Sequence, residues 1–383
     1  MDVRLTEDER MLESIFSRFL ATKLPPDVTR RMEHELGAGE AADVERAFDP
    51  AIWKEFAGLG ALHALIPETA GGAEVGLGAA VVVAEQVGRA LFQSPYFDTL
   101  TAAELIVAAG QGGGHWRDLE GIGAGDVTIA LAVRDQDWDD PGDLEGVTMT
   151  AGPASSGQGY ELNGRKGFVG FARHVSHFLV VAREPRGPTF FLLPRSSPGI
   201  AVRRLDEIGR GEYCRVEFRD TPAAPADVVG EAGGAGKAYP TVLARARVRH
   251  CGYLVGLCQG AFDGLLKYAK EREQFGKRIA GFQAISFRLA AISARIGALR
   301  LLTHNIAWRA DQGQDVRRLA AEATAMAGEL AREVTAESMQ MHGSFGFTEE
   351  AEPQRFYRRA AVDSMLLGTA SQLRDQAMAW LQE

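Results

Sequence analysis

The stretch Arg272-Glu-Gln-Phe-Gly-Lys-Arg-Ile-Ala-Gly-Phe-Gln283 decides how this chain of 383 residues is read. It separates two long helical patterns. Upstream, Val248, Cys251, Val255, Cys258, Phe262, Leu265 and Ala269 recur in steps of three and four, the spacing by which a helix buries one face. Downstream, Ile285, Leu289, Ile292, Ile296, Leu299, Leu302 and Ile306 do the same. Between them lies a short loop with Gly276, Gly281 and three basic side chains. Arg offers phosphate oxygens a planar fork of donors, so such a loop suits a phosphate. Taken alone, it also reads as a basic turn that only caps two helices.

Bulk properties narrow the classes. A chain this long fits two or three packed units. Hydrophobic content of 46% and charged content of 24% are those of a globular protein. A net charge of −9 argues against nucleic acid as a partner. The cationic side is almost wholly Arg, with seven Lys in the chain. Three cysteines form no even framework, and Cys251 and Cys258 fall on the buried stripe as core thiols. The first residues lack the apolar run of a signal peptide, and no window reaches the length of a membrane span. The expectation is a cytoplasmic protein with no membrane partner.

Three textures follow one another. Residues 1–125 read as helical: Thr6 and Glu9 form a capping box, and Asp49-Pro50 opens a helix with Asp at the cap. The turn-rich Leu65-Ile-Pro-Glu-Thr-Ala-Gly-Gly72 precedes an apolar helix from about Gly78 to Leu91. Residues 126–233 carry strand signals at Thr128–Val133, Phe178–Val181 and Thr189–Leu193, and Asn163-Gly164 reads as a hairpin turn. Together they predict an antiparallel barrel or sandwich. Residues 234–383 return to helix, with Val316, Leu319, Ala323, Met326, Leu330 and Val334 continuing the spacing, and four long helices predict a bundle. His174 and His177 lie beside a strand without a ligand spacing, so no metal is expected. His304 falls off its stripe and is expected in solvent.

At these residues the chain resembles the acyl-CoA dehydrogenase family of flavoproteins. The carriers are Arg272-x-Gln274-Phe275-Gly276 with Gln283, the Pro67-Glu-x-x-Gly-Gly72 loop, Glu85-x-x-Gly88-Arg-Ala90, and Gln340-Met-His-Gly343-Ser-Phe-Gly346. The last is written Gln-x-x-Gly-Gly-x-Gly in the family, so Ser344 is a departure. The resemblance covers nearly the whole chain and implies an α+β architecture: an N-terminal helical domain, a middle antiparallel β domain and a C-terminal four-helix bundle. It also implies FAD, gripped across a subunit interface by Arg272, Gln274, Phe275, Gln283, Gln340 and Gly343, with Thr369 of Gly368-Thr369 beside it. The implied assembly is a dimer or tetramer acting on acyl-CoA or another acyl thioester. Fatty acid or steroid side-chain metabolism is the setting that goes with it.

Dehydrogenation at α and β needs a base for the α proton and an acceptor for the β hydride. The family's usual base is a Glu before Gly-Thr, and here that place holds Leu367. A second branch places it on the first C-terminal helix before an Arg, where Ala246 precedes Arg247. Both places lack a carboxylate, which leaves Arg247 and Asp363 as weak candidates for chemistry. The family's Thr-Glu-Pro-x-Ala-Gly-Ser-Asp is replaced by Val133-Arg-Asp-Gln-Asp-Trp138, and its Trp-Ile-Thr or Ser by Phe168-Val169-Gly170. Four readings stay open: a dehydrogenase with a relocated base, a partner subunit completing an unlike chain's FAD site, a flavin monooxygenase of this fold, and a scaffold without flavin.

Overall fold

Helix starts are written into the sequence, and the chain obeys them. The computed structural model describes residues 5–37, 48–136, 140–154 and 157–381. The Asp137-Trp138 end of the departing stretch lies outside these residues. Thr6 and Glu9 form a reciprocal capping box on α1 (Glu7–Lys23), which buries Phe16 and Leu20. After α2 (Pro26–Gly37), Asp49 caps α3 (Pro50–Gly58) by accepting from the N–H groups of Ala51 and Ile52 at 2.8 and 3.2 Å. Two 3₁₀ turns fill the Leu65–Gly72 region before α4 (Leu77–Arg89), then α5 (Tyr96–Ala109) and α6 (Asp118–Gly123).

The middle segment forms one eight-stranded sheet from β1 (Ile129–Ala132), β2 (Thr150–Pro153), β3 (Tyr160–Gly170), β4 (His177–Glu184), β5 (Gly187–Pro194), β6 (Ile200–Arg204), β7 (Tyr213–Ala223) and β8 (Val228–Val229). Its order is β6-β7-β3-β2-β4-β5-β8, with β1 on β4. The sheet is mixed rather than purely antiparallel, because β1 and β2 both run parallel to β4. Asn163-Gly164 is not a hairpin turn. It lies inside β3, where the register against β7 shifts, and Gly164 has φ 146°. A Cβ on Gly164 would stand 3.0 Å from the Met149 backbone, so a bulge needs glycine there. The side chain of Asn163 is used elsewhere: its amide donates to Asp220 Oδ1 at 3.1 Å and its oxygen accepts from the Asp220 N–H at 2.9 Å.

The C-terminal helices are α7 (Ala235–Glu271), α8 (Gln283–Asp311), α9 (Arg317–His342), α10 (Pro353–Asp363) and α11 (Ala370–Ala379). Three are long and two are short, so the expected four long helices are revised. The stripe on α7 is buried throughout, Cys251 and Cys258 included. Met326 departs from the α9 stripe and is 52% exposed, because Ala327 takes the inward position one residue on.

Helix α7 joins two cores. Its first turns place Ala235, Tyr239, Val242 and Leu243 against the sheet and α5, while Ala244 onward belongs to the helical core with α1, α3 and α4. Its approach to α4 is backbone on backbone. A Cβ on Gly256 would stand 1.9 Å from the Glu85 carbonyl oxygen, and one on Gly88 the same distance from that of Tyr253. The interior at the junction is therefore set by three elements at once: α5, the sheet and α7.

Candidate functional site

That junction encloses a cavity of about 140 Å³. Phe97, Asp98 and Thr101 come from α5, Leu131, Val133 and Arg134 from β1 and its extension, and Phe168 and Gly170 from the end of β3. Tyr239, Leu243, Ala246, Arg249, His250 and Tyr253 come from α7, and Arg359, Asp363, Leu366 and Leu367 from α10 and beyond. Both positions read as the family's base, Leu367 and Ala246, are thus on this one wall, and both are apolar.

Three carboxylates reach the cavity, and their surroundings separate them. Glu212 accepts from Arg173 through Nε at 2.5 Å and Nη2 at 2.7 Å, with His174 Nε2 at 3.4 Å and Arg204 Nε at 3.7 Å. Burial pushes its carboxyl up, but the hydrogen bonds and charge brought by Arg173 and His174 outweigh burial and hold it down at about 2. Asp363 is fully buried and accepts from Arg359 Nη2 at 2.9 Å, from the Tyr253 hydroxyl and from the Tyr213 hydroxyl at 3.3 Å. Asp98 accepts only from the Leu131 N–H, at 3.2 Å, among the described residues. Burial pushes its carboxyl up to about 7, against the opposing pull of that N–H and of Arg134.

The sequence-predicted residues divide into two places. Arg247 is 2% exposed and donates from Nε to the Leu367 carbonyl oxygen at 3.1 Å. It holds the backbone of the wall rather than reaching into the cavity. Asp363 is committed to the pairings above. Thr369 caps α11, accepting from the Gln372 N–H at 3.3 Å while its hydroxyl donates to Gln372 Oε1 at 2.9 Å.

The remaining cofactor candidates lie away from the cavity, on the surface. Glu273–Gln274 pairs with Lys277–Arg278 as a two-residue ribbon whose tip holds Phe275 at φ 53° and Gly276 at φ 77°. Two positive φ values at a hairpin tip match the right-handed twist of the strands. Phe275 pays conformational strain there and is nonetheless 93% exposed. Arg272, Gln274 and Gln283 are exposed, as are Gln340 and Gly343. The Arg272 guanidinium has no hydrogen-bond or ion-pair partner among the described residues. Gly343 ends α9 with φ 65°, and the space where its Cβ would stand is open. Gln274 Nε2 donates to the Glu273 carbonyl oxygen at 2.6 Å, so the exposed Arg272 guanidinium is the open donor here, and it fits a phosphate ligand that lies outside this chain's own core.

Several site residues escaped the sequence reading. Asp98 and Glu104 are the charged residues of α5, an otherwise apolar helix, and that isolation was the available signal. Glu104 is spent on Arg245 and Arg249. Tyr213, Tyr253 and Glu212 gave no signal, since their partners are distant in sequence. His304 is not in solvent: its Nε2 lies 3.0 Å from Glu85 Oε1, with Arg300 on the other oxygen at 2.9 Å. The apolar stripe of α8 could not foresee that α4 would lay a buried carboxylate beside it. His174 lies on Glu212, and His177 Nδ1 is 2.9 Å from Ser176 Oγ. Among the described residues no cluster of His, Cys, Asp and Glu could hold a metal, and no helix is long and apolar enough to cross a membrane.

Comparison with known proteins agrees with this arrangement. The family described as acyl-CoA dehydrogenase matches by its N-terminal domain over residues 6–112, its middle domain over 140–221 and its C-terminal domain over 234–382. The mitochondrial short/branched chain specific acyl-CoA dehydrogenase of Rattus norvegicus is 32% identical over 224 residues, covering 56% of this chain and 52% of that enzyme. The acryloyl-CoA reductase (NADH) of Anaerotignum propionicum is 26% identical over 97% of this chain and 93% of its own. In fold, the butyryl-CoA dehydrogenase of Megasphaera elsdenii superposes with a TM-score of 0.89 over 100% of both chains, at 24% identity. With all three domains matched in order and the fold shared from end to end, the chain belongs to the acyl-CoA dehydrogenase family.

Proposed function

We propose that this protein is an FAD-dependent oxidoreductase that removes hydrogen from the α and β carbons of an acyl thioester. The observation that carries the reading is the cavity at the meeting of α5, the sheet and α7, on whose wall Ala246 and Leu367 converge. FAD, when bound, supplies the two-electron acceptor for the β hydride. Arg272, Gln274, Phe275, Gln283, Gln340 and Gly343 would hold it. They face outward, so the flavin they hold belongs to the cavity of a neighbouring subunit, and a second copy of this chain is the simplest neighbour.

This chain's residues would prepare the thioester in three ways. Phe97, Leu131, Leu243 and Leu367 present an apolar lining that excludes water and strengthens the electrostatics inside. Arg247 and Arg134 fix the Leu366–Leu367 backbone through its carbonyl oxygens, so the wall opposite the sheet keeps its shape. Two of the buried charges at the wall are balanced in place, Arg359 by Asp363 and Arg249 by Glu104.

The test is the visible absorption spectrum and solution mass of the protein purified alone, beside Arg272→Ala. The expected result is a flavin-bearing homo-oligomer that bleaches with an acyl-CoA. In Arg272→Ala, flavin content should drop severalfold while the fold, read by far-UV circular dichroism, survives. A protein that takes up flavin only with a second, unlike chain would replace this reading with that of a partner subunit.

A further inference from the structure

The family's two base positions, Leu367 and Ala246, line the cavity and cannot accept a proton. Three carboxylates share that cavity. Glu212 is held by Arg173 and His174 as a fixed anion. Asp363 is closed off by Arg359, Tyr253 and Tyr213, with no exposed surface. Among the described residues Asp98 has one hydrogen-bond partner, the Leu131 N–H, and it keeps part of its surface open where it meets the cavity.

A second departure bears on it. Gly170 stands where the resemblance places Thr or Ser, and a Cβ there would lie 3.4 Å from Asp98 Oδ2. That is ordinary contact, so a Ser or Thr hydroxyl there would reach the carboxylate as a second donor, and glycine leaves Asp98 without it. The loss of a side chain at 170 and the presence of an acid at 98 thus fit one another.

We propose that Asp98 is the proton acceptor for the α carbon of the acyl thioester. This assignment rests on the dehydrogenase reading above. In the step, the α C–H bond breaks, its electron pair passes into the enolate of the thioester, and an O–H bond forms on Asp98. Protonation of the enolate by Asp98 reverses the step, so it needs no oxidant and is observable without turnover. The charged and titratable groups that line the cavity with Asp98 are Arg134 beyond β1, Tyr239, Arg249, His250 and Tyr253 on α7, Tyr213 on β7 with Glu212 just before it, and the Arg359–Asp363 pair on α10. Of these, Arg134 opposes the rise that burial imposes on the carboxyl. An acid so placed titrates near neutrality, which suits a general base.

The experiment is deuterium uptake at the α carbon of acetyl-, butyryl-, octanoyl- and 3-phenylpropionyl-CoA in heavy water, read by mass spectrometry, with thioester affinity measured in parallel. Wild type is expected to exchange at least one of these probes. Asp98→Asn should lose about 10²-fold or more of that rate at unchanged affinity, and Asp98→Glu should recover part of it. A separate readout is thermal stability against pH. A carboxyl raised in the fold costs stability once the unfolded chain ionises, so wild type should lose stability relative to Asp98→Asn as pH rises from about 3.8 to about 7, with the difference level above that. Unchanged exchange in Asp98→Asn would overturn the assignment. So would thioesters that bind to wild type without exchanging. If none of the thioesters binds, the dehydrogenase reading itself fails, and the assignment with it.

Discussion

Glu212 and Asp98 share a cavity and are the same functional group, yet folding shifts their carboxyls in opposite directions. The difference is the partners. Glu212 keeps a low-lying carboxyl because Arg173 and His174 overcome the cost of burial. A carboxyl depressed in the folded state adds stability above its ordinary value of 4.5, and that stability is lost as pH falls towards about 2. The gap between those values corresponds to about 3 kcal/mol. Glu212→Gln should therefore be destabilised by about that amount near neutral pH, since Arg173 would be left uncompensated. Acid titration of chemical unfolding checks it: wild type should lose its advantage over the variant across that window, and an advantage unchanged by acid would refute the account. None of this was legible in the sequence, because Arg173 and Glu212 are joined by folding rather than by spacing. Leu367 was legible, since an apolar residue before Gly-Thr is visible without coordinates.

At the scale of elements, the crossing of α4 and α7 governs the cavity, because α7 carries both Ala246 and the buried cations Arg247 and Arg249. That crossing depends on Gly256 and Gly88, each lying against a carbonyl oxygen of the opposite helix. Gly256→Ala would push the helices apart and should cost about 1–3 kcal/mol or more, measured as a lower urea midpoint. An unchanged midpoint would mean that the crossing tolerates a methyl group. The stripes of α7 and α8 were readable as periodicity, and the caps at Thr6 and Asp49 as local chemistry. The bulge at Asn163-Gly164 was not. An Asn-Gly pair serves a turn or a bulge equally, and only the pairing of β3 with β7 decides which.

At the scale of the molecule, α8 has apolar residues on two sides. Leu289, Ile292, Ile296 and Leu299 are buried, while Phe287, Leu301 and Trp308 are 69, 49 and 44% exposed, fourteen and seven residues apart. Such a second stripe, with the exposed Phe275, Phe345 and Phe347, suits another subunit. The double variant Phe287→Asp, Leu301→Asp is expected to shift the mass in analytical ultracentrifugation towards that of one chain and to release flavin. A wild type that sediments as a monomer would contradict the shared site.

By itself, the sequence determined the order of helical, β and helical segments, the family they belong to, and an apolar residue at each of the two positions that the resemblance reads as a base. These are properties of local spacing and of motifs contiguous in the chain. Tertiary structure decided which carboxylate remains open to the cavity, that His304 lies on Glu85 instead of in water, and that Arg247 supports the Leu367 carbonyl. The reason is physical: the standing of a buried charge depends on the dipoles and ions that folding brings to within a few ångströms. Asp98 and Leu131, its one donor among the described residues, come from different elements, and only their packing brings the acid to the cavity.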